Sequence, residues 1–201
     1  MIFYWVLGYF FGSLPFALWI TRLVKNVDIR DSGSGHVGAT NTIRQAGFLP
    51  GFAVLLLDIS KGFLPVYLAE RAGLPAWSLA ITAALVVFGH CYPIFANFRG
   101  GMGLAVAGGA TLAVSVPAFF ISLALLIFLL LTLRHSARAT FVAGLLAPFL
   151  LYILNYRGNE LWIVATTGVA VAIRFTIDWN RQYRELWLDR DKDEKINETV
   201  G

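Results

Sequence analysis

Long apolar runs succeed one another along this chain from Ile2 to about Ile177, separated only by short polar or glycine-rich stretches. Crossing the hydrocarbon core of a bilayer takes roughly 20 predominantly apolar residues per helix. A water-soluble domain of 201 residues keeps more charge on its surface than the 14% found here beside 58% hydrophobic residues. The pattern predicts an all-α fold, a polytopic membrane helix bundle.

About seven spans are expected, over residues 2–23, 48–70, 74–96, 102–115, 117–133, 139–156 and 160–177. The first follows Met1 without a basic leader and is too long for a cleaved signal, so it is read as a permanent span. Val116 and Pro117 mark a turn between the fourth and fifth spans, because proline starts helices well and continues them badly. Under this count Arg22, Lys25, Arg30, Arg44, Arg99, Arg134, Arg138, Arg174 and the basic residues of the tail share one side. Arg71 and Arg157 fall on the other. Such asymmetry puts the N-terminus outside and the C-terminus in the cytoplasm. The domain expectation is a bundle over 1–178 and a cytoplasmic tail over 179–201. Trp179, Tyr183, Leu186 and Trp187 recur at helical spacing there, which predicts an amphipathic surface helix, followed by disorder. Cys91 is the lone cysteine, which rules out an intramolecular disulfide and argues against a cysteine-based metal site.

Between the first two spans lies "GSGHVGATNTIRQAG", Gly33 to Gly47, with four glycines amid hydroxyl, amide and guanidinium groups. Glycine turns bring backbone N–H groups close to a ligand, and clusters of such groups bind phosphate. Ser34, Thr40, Asn41 and Thr42 add hydrogen-bond donors, and Arg44 adds a fork suited to phosphate oxygens. A flexible loop of turn residues is the competing reading. No Gly-Lys-Ser/Thr follows, so a nucleotide P-loop is disfavoured.

A second polar stretch, "FGHCYPIFANFRGGMG", runs from Phe88 to Gly103. Pro93 kinks or ends the third span. Arg99 precedes Gly100, Gly101 and Gly103, and this glycine-rich helix start is a candidate anion site. Gly108 and Gly109 fit close helix packing instead. Asp58 and Lys61 sit three residues apart inside the second span, where ionisable groups are expensive. A self-neutralising pair and direct substrate contact are both open readings. Gly12, Ser13 and Pro15 interrupt the first span, as though it bends near polar groups. In "RHSARAT" the arginines fit a positive-inside loop, and Thr140 stands at the mouth of the sixth span. His36, His90 and His135 are each compatible with a plain hydrogen-bonded role. No HxxxxD pair, Ser-His-Asp order or metal cluster stands out.

The stretch "DIRDSGSGHVGATNTIRQAG" closely resembles the first motif of the bacterial acyl-phosphate:glycerol-3-phosphate acyltransferases (the PlsY family). "LLLDISKGFLP" and "GHCYPIFANFRGG" are similar to family segments, as are the length and the seven-span, N-out topology. The resemblance implies transfer of an acyl chain from acyl phosphate to the 1-hydroxyl of glycerol 3-phosphate, giving lysophosphatidic acid and phosphate. It implies a multi-pass protein of the cell inner membrane, with its active site facing the cytoplasm and with no metal or cofactor. By the same resemblance Ser34, Arg44 and His90 are the candidate catalytic residues. The substrate-binding candidates are Gly33, Gly35, His36, Gly38, Thr40, Asn41, Lys61, Arg99, Gly100, Gly101, Gly103 and Thr140. The expected partners are acyl phosphate, glycerol 3-phosphate and the lipid bilayer. A monomer is expected and nucleic acid is not.

The chain departs from the family pattern at several positions. Met102 replaces the lysine of "GGKG", His36 replaces an asparagine, and Thr140 stands where the family has serine. After the last span Arg174 remains, but Phe175 replaces histidine, Asp178 replaces asparagine, and no Gly-x-Glu follows. These departures keep open a non-catalytic protein that binds phosphorylated lipid headgroups, or an acyltransferase with another acceptor. A small organophosphate transporter is disfavoured, since its polar groups belong at mid-membrane.

Overall fold

The computed structural model describes residues 1–177 and Trp179, and every regular element among them is helical. In chain order these are α1 (Ile2–Gly12), α2 (Phe16–Lys25), α3 (Ala39–Ala46), α4 (Phe48–Arg71), α5 (Ala76–Cys91), α6 (Leu104–Leu112), α7 (Val116–Leu133), α8 (Ser136–Ile153) and α9 (Asn159–Thr176). Five stretches are long and apolar enough to cross a membrane: Ile2–Lys25, Phe48–Arg71, Ala76–Ala96, Val116–Leu133 and Ser136–Ile153. Each coincides with an expected span. The other two expected spans fall on α6, which has nine residues, and on α9. Of the amphipathic tail, Tyr183, Leu186 and Trp187 lie outside the described residues.

Prolines set several boundaries. The first span breaks between Gly12 and Phe16, with Pro15 as the residue that precedes α2. Proline lacks the N–H a continuous helix needs, and its ring obstructs the preceding turn. Between α6 and α7 the chain turns as the sequence indicates. Ser115 caps α7 by accepting from the Ala118 N–H, and Pro117 sits in the first turn, where its missing donor costs nothing. Past Cys91 the chain runs through Pro93 into a short 3-10 turn, Ile94–Ala96.

In lipid, helices associate by close van der Waals contact, and small residues at the crossings permit it. A Cβ on Gly109 would overlap the Ile59 carbonyl, and one on Gly62 would overlap that of Val106, so α4 and α6 meet backbone to backbone. The packing role expected of Gly109 is what the fold uses. The central core is built from small and β-branched side chains, among them Val66, Ala83, Val86, Val87, Val106, Ala110, Ile163 and Val171. On α7 only Ala118 and Leu126 are buried, which leaves most of that helix to lipid.

The bundle has two distinct ends. At one, Trp5 Nε1 donates to Ser78 Oγ over 3.0 Å and Asn159 Nδ2 to Glu70 Oε1 over 3.5 Å. These contacts gather the starts of α1, α5 and α9 with the end of α4. The opposite end gathers the glycine-rich segments, the last turns of α5 and α9, and the start of α8.

Candidate functional site

The first glycine-rich segment is shaped from within. Gly33 and Gly35 have φ of +57° and +73°, a region that favours glycine. At Gly33 a Cβ would also overlap Asn41 Oδ1. Asn41 itself is buried and serves the loop. Its Nδ2 points at the carbonyls of Ile29, Ser32 and His36 within 3.0–3.2 Å, and its Oδ1 accepts from the Ser34 N–H at 3.3 Å. Thr42 Oγ1 donates to the Gly38 carbonyl as α3 begins. The sequence did not distinguish this short polar helix from a loop.

The entry to the loop is fixed by charge. Asp28 accepts from Arg22, from the Arg30 backbone and from two nitrogens of the Arg30 side chain. The Arg30 guanidinium holds the Asp28 carboxyl well below the usual carboxylate range, against the opposing effect of partial burial. The same hydrogen bonds raise Arg30, which stays charged in any case.

The second segment closes against the first. The Val37 N–H donates to the Gly100 carbonyl at 3.3 Å, and the Gly101 N–H donates to the His90 carbonyl at 3.1 Å. A Cβ on Gly101 would overlap His90 Nε2 and crowd the Val37 carbonyl. From α9, Arg174 Nε donates to the Gly101 carbonyl at 3.2 Å, and its guanidinium lies 5.9 Å from the Tyr92 ring centre. Arg99 ties back to the Arg30 carbonyl and the Asp31 carboxylate.

Between these pieces lies a polar cavity of ≈ 480 Å³. Its lining includes Arg30, Arg99 and Arg174 together with Ser34, Gly35, His36 and Gly100. Ser34, Gly35, His36, Arg99 and Gly100 are thus brought together as candidates. Gly33, Gly38, Thr40 and Asn41 frame the loop around them, with Thr40 exposed. Arg44 is half-buried on α3 and does not line this cavity. Gly101 and Gly103 lie buried behind Gly100. His90 and Lys61 are buried deeper, with Lys61 paired to Asp58 at 2.9 Å. Thr140 opens instead into a second, mostly apolar cavity of ≈ 120 Å³ between α6, α7, α8 and α9. Sequence reasoning left Arg30 and Arg174 off the site, although Arg30 falls in the first stretch that carries the resemblance and Arg174 is the family residue retained after the last span. No cluster of three or more His, Cys, Asp or Glu fit for a metal occurs among the described residues.

Guanidinium groups, a serine hydroxyl and glycine backbone N–H groups are the donor types from which phosphate oxygens accept. The family model for glycerol-3-phosphate acyltransferase matches residues 2–185. The chain belongs to the glycerol-3-phosphate acyltransferase family. A relative from Aquifex aeolicus is 36% identical over 177 residues, covering 88% of this chain and 92% of the relative. One from Sodalis glossinidius is 33% identical over 196 residues, covering 96% and 93%. The crystal structure of PlsY (YgiH), an integral membrane glycerol 3-phosphate acyltransferase, in its glycerol 3-phosphate form matches with a TM-score of 0.79 at 35% identity over 90% of each chain. The lysophosphatidic acid form of the same protein matches with a TM-score of 0.78. Within this acyltransferase frame, two departures from the expected pattern have a structural setting. Met102 packs partly buried against the central core, and Phe175 is buried within it.

Proposed function

We propose that this protein transfers an acyl chain from acyl phosphate to the 1-hydroxyl of glycerol 3-phosphate, releasing lysophosphatidic acid and phosphate. The observation that carries the reading is the cavity lined by Arg30, Arg99, Arg174, Ser34 and Gly100, where both glycine-rich segments meet. In this reading the protein works as a monomer in the inner membrane. Seven passes run from an external N-terminus, and the cavity faces the cytoplasm, the side to which basic residues are biased.

The chemistry requires little of the enzyme beyond placement. Acyl phosphate is already activated. The hydroxyl oxygen attacks the acyl carbonyl carbon, the bond from that carbon to the phosphate oxygen breaks, and the phosphate leaves with the electron pair. The departing phosphate takes the hydroxyl proton, so no side-chain base is needed. Arginines and N–H donors hold two anions side by side, which supplies proximity and stabilises charge on the carbonyl oxygen and the leaving group. The start of the acyl tail lies in the apolar cavity, whose wall begins at Leu104, the residue after Gly103. Thr140 stands in that wall and faces the start of the tail in this reading.

Purified protein in detergent, given acyl phosphate and glycerol 3-phosphate, should release phosphate and lysophosphatidate in equal amounts. Arg174→Ala and Ser34→Ala should each lower kcat/KM, Arg174→Ala by about 10- to 100-fold, since hydrogen bonds to charged groups contribute about 1.5–3 kcal/mol. The apolar settings of Met102 and Phe175 favour a second reading, a changed acceptor. Turnover with a different alcohol alone would select it. Saturable binding without any turnover would instead select a headgroup-binding protein.

A further inference from the structure

Three separate irregularities of this chain meet at one point. The first is the break in the first span at Ser13–Pro15. The second is the ionisable pair inside α4. The third is His90, which sits at the end of α5 without lining the polar cavity. Lys61 Nζ lies 2.9 Å from Asp58 Oδ1 and donates to the Leu14 carbonyl over 2.8 Å. Leu14 lies within the break, and its carbonyl also accepts the Phe16 N–H at 3.1 Å. Asp58 Oδ1 in turn lies 3.8 Å from His90 Nδ1. The other edge of the imidazole abuts Gly101, whose Cα leaves no room for a Cβ beside Nε2. The backbone of His90 is tied to the same place, because its carbonyl accepts the Gly101 N–H. Gly89 lies flush against the break, where a Cβ would overlap the Tyr9 carbonyl.

We propose that Asp58 and Lys61 are positioning residues for the phosphate cavity. They fasten the broken first span to α4 and, through His90, hold the Gly100–Gly101 turn in place. This rests on the reading of the cavity as a glycerol 3-phosphate site. A pair that only neutralised itself would need neither a carbonyl at the helix break nor a ring wedged between the carboxylate and the glycine turn. His90 then acts as a prop rather than as an acid or base, which fits a reaction whose leaving phosphate takes the proton. The ring is the wrong partner for substrate: it is buried, and both edges face protein.

Removing one charge leaves the other buried and unpaired, which destabilises the fold itself. The informative variant is therefore the double change Asp58→Leu, Lys61→Met, beside His90→Gln. Leu151→Ala serves as control, since Leu151 is fully buried in a separate cluster with Ala118, Ala147 and Val164. Binding of glycerol 3-phosphate by calorimetry in detergent is measured alongside Tm, and turnover with acyl phosphate is measured in parallel. The expected result is at least a tenfold rise in Kd and KM for glycerol 3-phosphate in the double variant and in His90→Gln. Their kcat should fall by less, with the pH profile of kcat unchanged. Leu151→Ala should lower Tm and leave Kd as it is. Wild-type Kd in the folded double variant would overturn the proposal. So would an equal loss of affinity in Leu151→Ala, or loss of kcat with an altered pH profile in His90→Gln. Absence of binding by the wild-type protein would remove the cavity reading and this proposal together. Binding without turnover would count against the acyl transfer alone and leave the positioning test intact.

Discussion

At Gly101 even a methyl group would overlap His90 Nε2 and crowd the Val37 carbonyl. Gly101→Ala is therefore expected to weaken glycerol 3-phosphate binding at least tenfold, read by calorimetry. Asn41 illustrates the opposite case, a residue whose side chain matters because it reaches inward. Truncation in Asn41→Ala strands several loop carbonyls, each an unsatisfied group costing about 1–3 kcal/mol if it stays dry. A clear fall in Tm should follow, with the loop losing phosphate affinity as well. The sequence marked Asn41 as a phosphate contact by resemblance. Its burial and its carbonyl partners could not be read there, since those partners lie up to 12 residues away along an irregular path. Asp28 gives a pH expectation. Its carboxyl is depressed by Arg30, so its contribution to stability is present above the ordinary carboxylate range and is lost as pH falls through the depressed folded value. Thermal unfolding from pH 8 to pH 5 should therefore differ between wild type and Asp28→Asn by a constant offset. A gap that closes within that window would contradict the assignment.

Among the helices, boundaries set by proline were legible and those set by tertiary contact were not. Pro15 and Pro117 announce a break and a helix start because proline's constraint is local and steric. The short helix α3 was not legible: eight mostly polar residues between two glycines carry too little apolar periodicity to stand out. Its place is fixed by packing on α4, where Gly51 admits the Ile43 side chain at its surface. The crossing of α8 and α9 depends on Gly144 and Gly168, each without space for a Cβ against the other's backbone. Gly168→Leu should force these helices apart and cost about 1–3 kcal/mol, the usual penalty for overpacking. Thermal unfolding in detergent would show it, and an unchanged Tm would mean the helices separate freely.

For the whole molecule, sidedness can be tested with the chain's own composition. Cys91 is the lone cysteine and is buried, so a cysteine introduced at an exposed site is the only reactive thiol. Lys25 lies at the cavity end of the bundle and Arg71 at the other. An impermeant maleimide should label Arg71→Cys from outside intact cells and label Lys25→Cys only after permeabilisation. The reverse pattern would invert the proposed topology. The membrane bundle, five of its spans, the glycine-rich segments and the family were legible in the chain alone, because hydropathy and turn chemistry act over a few residues. Packing of distant segments settled which arginines line the cavity, that Lys61 turns to Leu14, that Asn41 serves its own loop, and that Thr140 opens into the apolar space. Those outcomes depend on groups far apart in the chain, such as Arg174 and the Gly101 carbonyl 73 residues before it. Hydrogen bonds of that reach exist only once the helices have packed, and packing is set by the fit of many surfaces at once.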